Sequence, residues 1–389
     1  MNLGLVGCGY VAEFYCQTLR HYPGLKLVAA YDRDEKNLDA FCRRWTVRRC
    51  NSLDGLLKDS SVQIVLNLTN PRSHDEVIRQ CLNAGKHVYS EKPLAMDAAR
   101  ARELADLARQ KGLRLSAAPC SLLGETAQTM WKALRENAIG PVRLVYANFD
   151  DGMIAAQAPW QWRNGAGVAW PAKDEFEVGA TYEHAGYLLT WLAAFFGPAR
   201  RVTSFAARLI PDKGIAVDTL TPDFSVGLIE YDSGIVARLT CSIVAPADRS
   251  LMIVGDKGII KVANARDDKA PVYIRATPSP YSGIERRVNR LRSFLKLPGY
   301  ETDWHMWRHY PAARIGAPEV ASRTKPVDFC RGVAELAEAI EQARPCRLSA
   351  EFGCHVVELI ERLQYPERFG DDRAVASTFD AIAPLPAET

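Results

Sequence analysis

The segment YSEKPLA (89–95) sets a glutamate, a lysine and a proline at the end of an apolar run, KHVYS (86–90), that reads as a buried strand. An isolated Glu-Lys-Pro would be a solvated turn with an internal ion pair and a proline stop. At the carboxyl end of a parallel strand the same residues face the crevice where open α/β sheets bind ligands, which makes Lys92, beside Glu91, a candidate for chemistry. A second group lies in VGATYEHAGYLLTWLAAFFGP (178–198). Glu183 and Tyr187 are spaced i,i+4, and His184 and Tyr187 i,i+3, so one helix face presents all three. A carboxylate, an imidazole and a phenol near an ammonium can take a proton from a hydroxyl and return it. The plainer alternatives are a core tyrosine and a histidine that only supports it.

The elements that must position these residues alternate between two periods. LGLVG (3–7), KLVAAYD (26–32), VQIVLNLT (62–69), KHVYS (86–90) and RLSAA (114–118) are short runs rich in branched apolar residues. Helical spacing fills the gaps at 11–20, 35–44, 74–84 and 97–111. This alternation predicts right-handed βαβ units and a parallel sheet covered by helices on both faces. From about Pro141 the runs VRLVYANF, RVTSFAARL, FSVGLIEYD, GIVARLTCSIV, SLMIVG and GIIKV follow one another through turn signals, as in a mostly antiparallel sheet. Amphipathic helices are expected over 328–343 and 349–363, the latter capped by Ser349. The fold class is therefore an α/β N-terminal domain with a parallel sheet, placed at 1–120, plus a C-terminal α+β domain at 121–389 with a mostly antiparallel sheet.

The first strand runs into GLVGCGYVAEF, which holds Gly7-x-Gly9-x-x-Ala12 across a strand–turn–helix junction. Gly7 permits the tight turn, Gly9 lets backbone approach a pyrophosphate at the helix N-terminus, and Ala12 keeps helix and strand close. Asp32 ends the second strand at the distance expected of a carboxylate that binds the adenosine ribose hydroxyls. A carboxylate there repels a 2′-phosphate, which favours NAD. Arg33 follows directly and leaves NADP open. The crevice of this sheet places Lys92 near the nicotinamide.

Gly7-Cys8-Gly9-Tyr10-Val11-Ala12, NPRSHDEVIRQCLNAGKHVYSEKPLA (70–95), NAIGPVRLV and the closing RGVAELAEAI…RLSAEFGCHVVELIE together resemble the glucose–fructose oxidoreductase and inositol dehydrogenase (Gfo/Idh/MocA) family. The resemblance implies a nicotinamide-dependent oxidoreductase acting on CH–OH groups, with Lys92 as the catalytic or substrate-orienting lysine. It implies an N-terminal Rossmann domain, cofactor contacts from Tyr10, Val11, Thr69, Asn70, Pro71, His74, Glu91 and Lys92, and a large open C-terminal sheet that joins subunits into a homodimer or homotetramer. The family carries Asp-x-x-x-His on a helix of its second domain, and this chain departs from that pattern. Counting back from FFGP puts Glu183 at the aspartate and Tyr187 at the histidine. Anchoring on His184 instead leaves Ala180 at the acidic position. The departure keeps a catalytically silent NAD-binding regulatory protein in view, alongside a redox-neutral epimerase or glycosidase that recycles its cofactor.

Trp160, Trp162 and Trp170, interleaved with Arg163, Lys173, Asp174 and Glu175, suit a polyhydroxylated ligand with rings on its apolar face and charges on its hydroxyls. The alternative is a loop whose tryptophans cap the sheet. Family resemblance points to a sugar, cyclitol or nucleotide-sugar substrate. A stretch at about 279–326 reads as an insertion, and Arg286, Arg287, Arg290, Arg292 and Lys296 alternate there with apolar residues as in a basic amphipathic helix. A solvated face, a subunit contact, an anion clamp for a diphosphate or an acidic membrane surface would each suit it.

Composition narrows the classes. The 389 residues are 48% hydrophobic and 24% charged, with a formal net charge of +3, so nothing calls for a nucleic-acid partner. The ten cysteines show no C-x-x-C pair, which argues for reduced core thiols, no zinc site and a cytoplasmic location. The opening MNLGLVGCG leaves no room for a signal peptide, and LLTWLAAFFG (188–197) is too short to span a bilayer.

Overall fold

The computed structural model describes residues 1–277, 282–296, 307–315, 318, 320 and 327–386. Six parallel strands form the first sheet: β1 (Asn2–Val6), β2 (Lys26–Tyr31), β3 (Arg48–Arg49), β4 (Ile64–Asn67), β5 (His87–Ser90) and β6 (Leu115–Ala117). Their order is β3-β2-β1-β4-β5-β6. The chain winds outward from β1 through β2 and β3, then restarts at β4 on the other side. The carboxyl ends of β1 and β4 therefore flank the point where loops diverge and a crevice opens. Leu3, Leu5, Ile64, Val65 and Leu66 are fully buried, as strands covered on both faces require.

Capping side chains start several of the covering helices. Asp34 accepts from the Lys36 and Asn37 amides ahead of helix Glu35–Trp45, and Asp97 accepts from the Arg100 amide ahead of helix Ala98–Gln110. One face of the sheet carries helices His74–Asn83 and Ala98–Gln110. The other carries helix Ala12–Leu19 and, from far along the chain, helix Arg331–Glu341, whose Val333 and Leu336 pack with Leu3, Leu5 and Tyr89.

The second sheet has eight strands: β7 (Val142–Asp150), β8 (Ala199–Ala207), β9 (Phe224–Tyr231), β10 (Val236–Ser242), β11 (Leu251–Gly255), β12 (Gly258–Val262), β13 (Tyr273–Ala276) and β14 (Arg308–His309). They run in the order β14-β13-β12-β11-β7-β10-β9-β8. All neighbours are antiparallel except β7 and β10, which pair in parallel at the centre. Helices Glu125–Arg135, Gly186–Phe196 and Ala350–Gln364 cover one face. The opposite face leaves Tyr146, Phe205 and Leu228 exposed. Helix Ala350–Gln364, capped by Ser349, also contributes Cys354 and Val357 to the core of the first sheet, so one helix fixes the two sheets together.

The expected basic helix is present as Ser282–Phe294, with Arg286, Arg287 and Arg290 exposed alongside Val288, Leu291 and Phe294, and Arg292 half-buried. The remainder of the 279–326 stretch, Leu297 included, lies largely outside the described residues. No described helix is long and apolar enough to cross a membrane.

Candidate active site

The glycine turn after β1 is built for close backbone approach. Gly7 has φ +96°, and a Cβ there would sit 2.6 Å from the Leu68 carbonyl oxygen, so any side chain would collide with the loop after β4. A Cβ on Gly9 would meet nothing within 4 Å, because that position faces the open cleft. Helix Ala12–Leu19 begins here without a side-chain cap, leaving the Ala12 and Glu13 amides to a ligand or solvent. Asp32 is pinned beside the turn: its Oδ2 accepts the Cys8 amide at 2.6 Å and its Oδ1 the Asp34 amide at 2.8 Å. Arg33 is exposed, close enough for its charge to act on Asp174. The turn thus offers the space, the amides and the carboxylate that a dinucleotide needs, and its residues fit NAD(P).

Thr69, Asn70 and Pro71 line the cleft from the loop after β4, where Asn67 Oδ1 accepts the Thr69 hydroxyl at 2.7 Å. His74 is buried behind this loop. Its Nδ1 lies 2.6 Å from the Pro93 carbonyl and its Nε2 2.9 Å from the Thr69 carbonyl, so the ring ties the loop to the segment that carries Lys92. Burial pulls the His74 pKa down, against those carbonyls.

Lys92 leaves the end of β5 at a cis peptide bond with Pro93. Behind it Glu91 accepts the Tyr15 hydroxyl at 2.8 Å and the Lys92 amide at 3.1 Å, which points the Glu91 carboxylate back toward the sheet. The Lys92 ammonium crosses to the second domain and pairs with Glu183, at side-chain exposures of 17% and 8%. Burial favours neutral Lys92, but Glu183, Tyr187, Glu175 and Glu91 outweigh it and hold the ammonium charged. Burial, helped by the Glu175 carboxylate, pushes Glu183 up to about 7 against the pull of Lys92.

Glu183 and His184 sit on helix Ala180–His184, and Tyr187 on the next helix, Gly186–Phe196. Sequence spacing suggested one continuous helix. The chain instead forms two short consecutive ones after Gly179, whose φ of +101° and tight approach to Gln364 both exclude a side chain. His184 lies between two carboxylates, 2.6 Å from Glu175 Oε1 and 3.3 Å from Asp151 Oδ2. These are charge contacts rather than well-directed hydrogen bonds. Burial opposes a charged His184 ring, but Glu175 and Asp151 prevail and raise its pKa. Tyr187 stacks on Phe149 with centroids 5.1 Å apart and planes 9° apart, and the Arg266 guanidinium lies 5.0 Å from the Tyr187 centroid.

These groups share one interdomain cleft of about 1020 Å³, lined by Gly9, Tyr10, Val11, Thr69, Asn70, Pro71, Glu91, Lys92, Glu183, His184 and Tyr187. Trp162 and Trp170 also line it, with centroids 5.1 Å apart. Their loop is anchored to the glycine turn by Asn164, which donates to the Tyr10 carbonyl at 2.9 Å. Gly7, Ala12, Asp32, Arg33 and His74 stand behind the wall or beside it. Trp160 packs against Gly214, Arg163 donates to the Trp160 and Trp162 carbonyls, and Lys173 pairs with Asp218 at 2.8 Å, all three away from the cleft lining. Arg286, Arg287 and Arg290 do not line it either, so the diphosphate clamp considered for them has no support in this geometry.

The cleft holds further polar and charged residues that motif spacing did not reveal: Asp151 after β7, Arg249 before β11, and Asn264 and Arg266 after β12. Asp174 and Glu175, which also line it, did have a signal, as charges interleaved with tryptophans. The others sit at strand ends that converge only once β12, β11, β7 and β10 lie side by side.

A Rossmann sheet with an uncapped glycine turn, facing a charged cleft roofed by an α+β domain, defines a two-domain NAD(P)-dependent oxidoreductase. Residues 1–118 match the oxidoreductase family with an NAD-binding Rossmann fold, and residues 127–261 match the GFO/IDH/MocA C-terminal domain. The chain belongs to the GFO/IDH/MocA family of oxidoreductases. Among curated relatives it is 25% identical to the trans-1,2-dihydrobenzene-1,2-diol dehydrogenase of Sus scrofa, over 67% of this chain and 74% of the relative. Its fold resembles a putative NADPH-dependent oxidoreductase from Desulfitobacterium hafniense, with TM-score 0.70, 19% identity and coverage of 93% and 94% of the two chains. It also resembles a Bordetella pertussis dehydrogenase solved with NADH and UDP-GlcNAcA, with TM-score 0.68, 17% identity and 98% coverage of each chain.

Proposed function

We propose that this enzyme transfers a hydride between a sugar or nucleotide-sugar carbinol, or its ketone, and NAD. The observation that carries the reading is the Lys92–Glu183 pair at the carboxyl end of β5, with Tyr187 on the same cleft wall. Nicotinamide, when bound, supplies the hydride acceptor or donor. Lys92, held charged, orients the substrate oxygen and stabilises negative charge developing there. Tyr187, whose hydroxyl has no hydrogen-bond partner among the described residues, takes the carbinol proton or returns it to the ketone. Glu183 positions Lys92, and His184 braces Glu175 and Asp151 behind it.

NAD is favoured over NADP by Asp32, and a polyhydroxylated substrate by Trp162 and Trp170. The relative solved with UDP-GlcNAcA supports a sugar nucleotide, while the dihydrodiol dehydrogenases widen the range of carbinols in the family. Ten free cysteines suit the cytoplasm. Homo-oligomers would form through the open sheet face carrying Tyr146, Phe205 and Leu228.

Mixing the enzyme and NAD with a panel of sugars, cyclitols and nucleotide sugars, while following the reduced-nicotinamide absorbance, tests this. Stoichiometric growth of that band is expected with at least one substrate class. Conversion without a net change would assign a redox-neutral reaction. Tight NAD binding with no conversion at all would make the chain a sensor.

A further inference from the structure

Around Lys92 and Tyr187 the charges of the cleft pair closely with one exception, while Arg20 at the exposed rim faces His21. Lys92 meets Glu183, His184 meets Glu175, and Arg249 meets Asp151 through its Nε at 2.5 Å. Asn70 donates to Asp174 at 2.5 Å, and Glu91 accepts from Tyr15 and the Lys92 amide. The exception is Arg266, which is held least closely. Its nearest carboxylate, Asp151, is 4.0 Å away and already shared by Arg249 and His184. Among the described residues its guanidinium makes no hydrogen bond, although it lines the cleft and is only 35% exposed.

The surroundings hold that guanidinium in place. The Arg266 amide donates to Asn264 Oδ1 at 3.0 Å, and the Ala265 amide donates to the Arg249 carbonyl at 2.8 Å, which fixes the loop. The guanidinium lies over the ring of Tyr187, the proposed proton carrier, and within electrostatic reach of Tyr10 on the glycine turn. A planar fork of donors, partly buried and without a hydrogen-bond acceptor among the described residues next to a reacting centre, matches a carboxylate in two-point contact.

We infer that Arg266 is a carboxylate subsite, and that the substrate is an acidic sugar: a uronic or aldonic acid, free or as a nucleotide conjugate. This rests on the reading of the cleft as a sugar oxidoreductase site and names its substrate class. The acid group would lie against Arg266 while the carbinol faces Lys92 and Tyr187. A neutral sugar would leave the guanidinium with only its distant Asp151 contact.

Isothermal titration of the NADH-saturated enzyme with matched ligands tests the subsite: glucose against glucuronate, and UDP-glucose against UDP-glucuronate. The second pair holds the diphosphate constant, so any difference belongs to the carboxylate. The acidic member should bind roughly 10- to 100-fold more tightly, as one charged two-point hydrogen bond allows. Arg266→Gln should erase that difference while leaving the neutral member and NADH as in the wild type, and Arg266→Lys should restore only part of it. Equal binding of the two members, or no binding of either acid, overturns the inference. So does a loss of NADH affinity in Arg266→Gln, which would assign the guanidinium to the cofactor. Selective binding of the acids without any turnover would instead leave the subsite standing and remove the oxidoreductase reading.

Discussion

Lys92 and Glu183, 91 positions apart in the chain, meet across the interdomain cleft as a largely buried ion pair. One side chain leaves the end of a parallel strand and the other a short helix of the second domain. The contact therefore exists only when the two domains are seated on each other. Assembly of the fold and completion of the site are the same event at this point, and helix Ala350–Gln364, packed into both cores, helps enforce it.

Replacing Lys92 by Met should lower kcat roughly 10²- to 10⁴-fold, the range of a positioned proton-handling group. NADH affinity, measured by fluorescence titration, should stay close to wild type. The lone variant also leaves Glu183 buried without its cation, which costs stability. The double variant Lys92→Met, Glu183→Gln should regain the lost melting temperature but none of the lost turnover. Recovery of both would mean that Lys92 acts only through folding.

Burial pushes the Glu183 carboxyl up to about 7, so its ionisation should appear in the pH–rate profile. Below that pH the carboxyl takes up a proton and no longer holds the Lys92 ammonium. Above it the pair is complete. Carbinol oxidation should therefore rise with pH through a limb near 7, and Glu183→Gln should lower the plateau and flatten that limb. A limb unchanged in the variant would assign it to another group.

The parallel sheet was legible because its strands are unbroken apolar runs ending at a glycine turn. Strand β3 escaped notice because its two residues, Arg48 and Arg49, carry no apolar signal. Parallel pairing of β7 with β10 was equally hidden, since successive apolar runs read as hairpins while the pairing here is long-range. In the site, Lys92, Glu183 and Tyr187 stood out by spacing and family resemblance. Asp151, Arg249 and Arg266 did not, because strand order alone gathers them. Among the tryptophans, sequence could not separate Trp162 and Trp170, which face the cleft, from Trp160, which packs on Gly214.

Asp32 should set the cofactor preference. Asp32→Asn removes the charge that opposes a 2′-phosphate while keeping one acceptor for the Cys8 or Asp34 amide. The ratio of kcat/KM for NADP over NAD should rise roughly tenfold, about 1.4 kcal/mol for loss of one unfavourable charge contact. An unchanged ratio in steady-state assays with both cofactors would show that Asp32 orders the turn without reading the ribose.

Asp268 places a second titration at the seam between the domains, away from the cleft. Its Oδ2 accepts the Asp328 amide at 2.9 Å, while its Oδ1 is buried without a partner. Asp328 in turn holds the Tyr22 hydroxyl and lies 3.4 Å from Arg331 Nε, and Arg331 donates to the Leu123 carbonyl at 3.0 Å. Burial pushes Asp268 from 3.8 up to about 7, more than Arg331 pulls it down. The folded state thus holds a proton there that the unfolded chain releases near 3.8. That contribution is complete below pH 3.8 and is lost as pH rises toward 7. Asp268→Asn keeps the oxygen that faces Asp328 and removes the titration. Urea midpoints at pH 5 and pH 8 should show the wild type losing a few kcal/mol relative to the variant at the higher pH. Parallel stability curves across that interval would mean that Asp268 is ionised in the fold, with Arg331 compensating its charge.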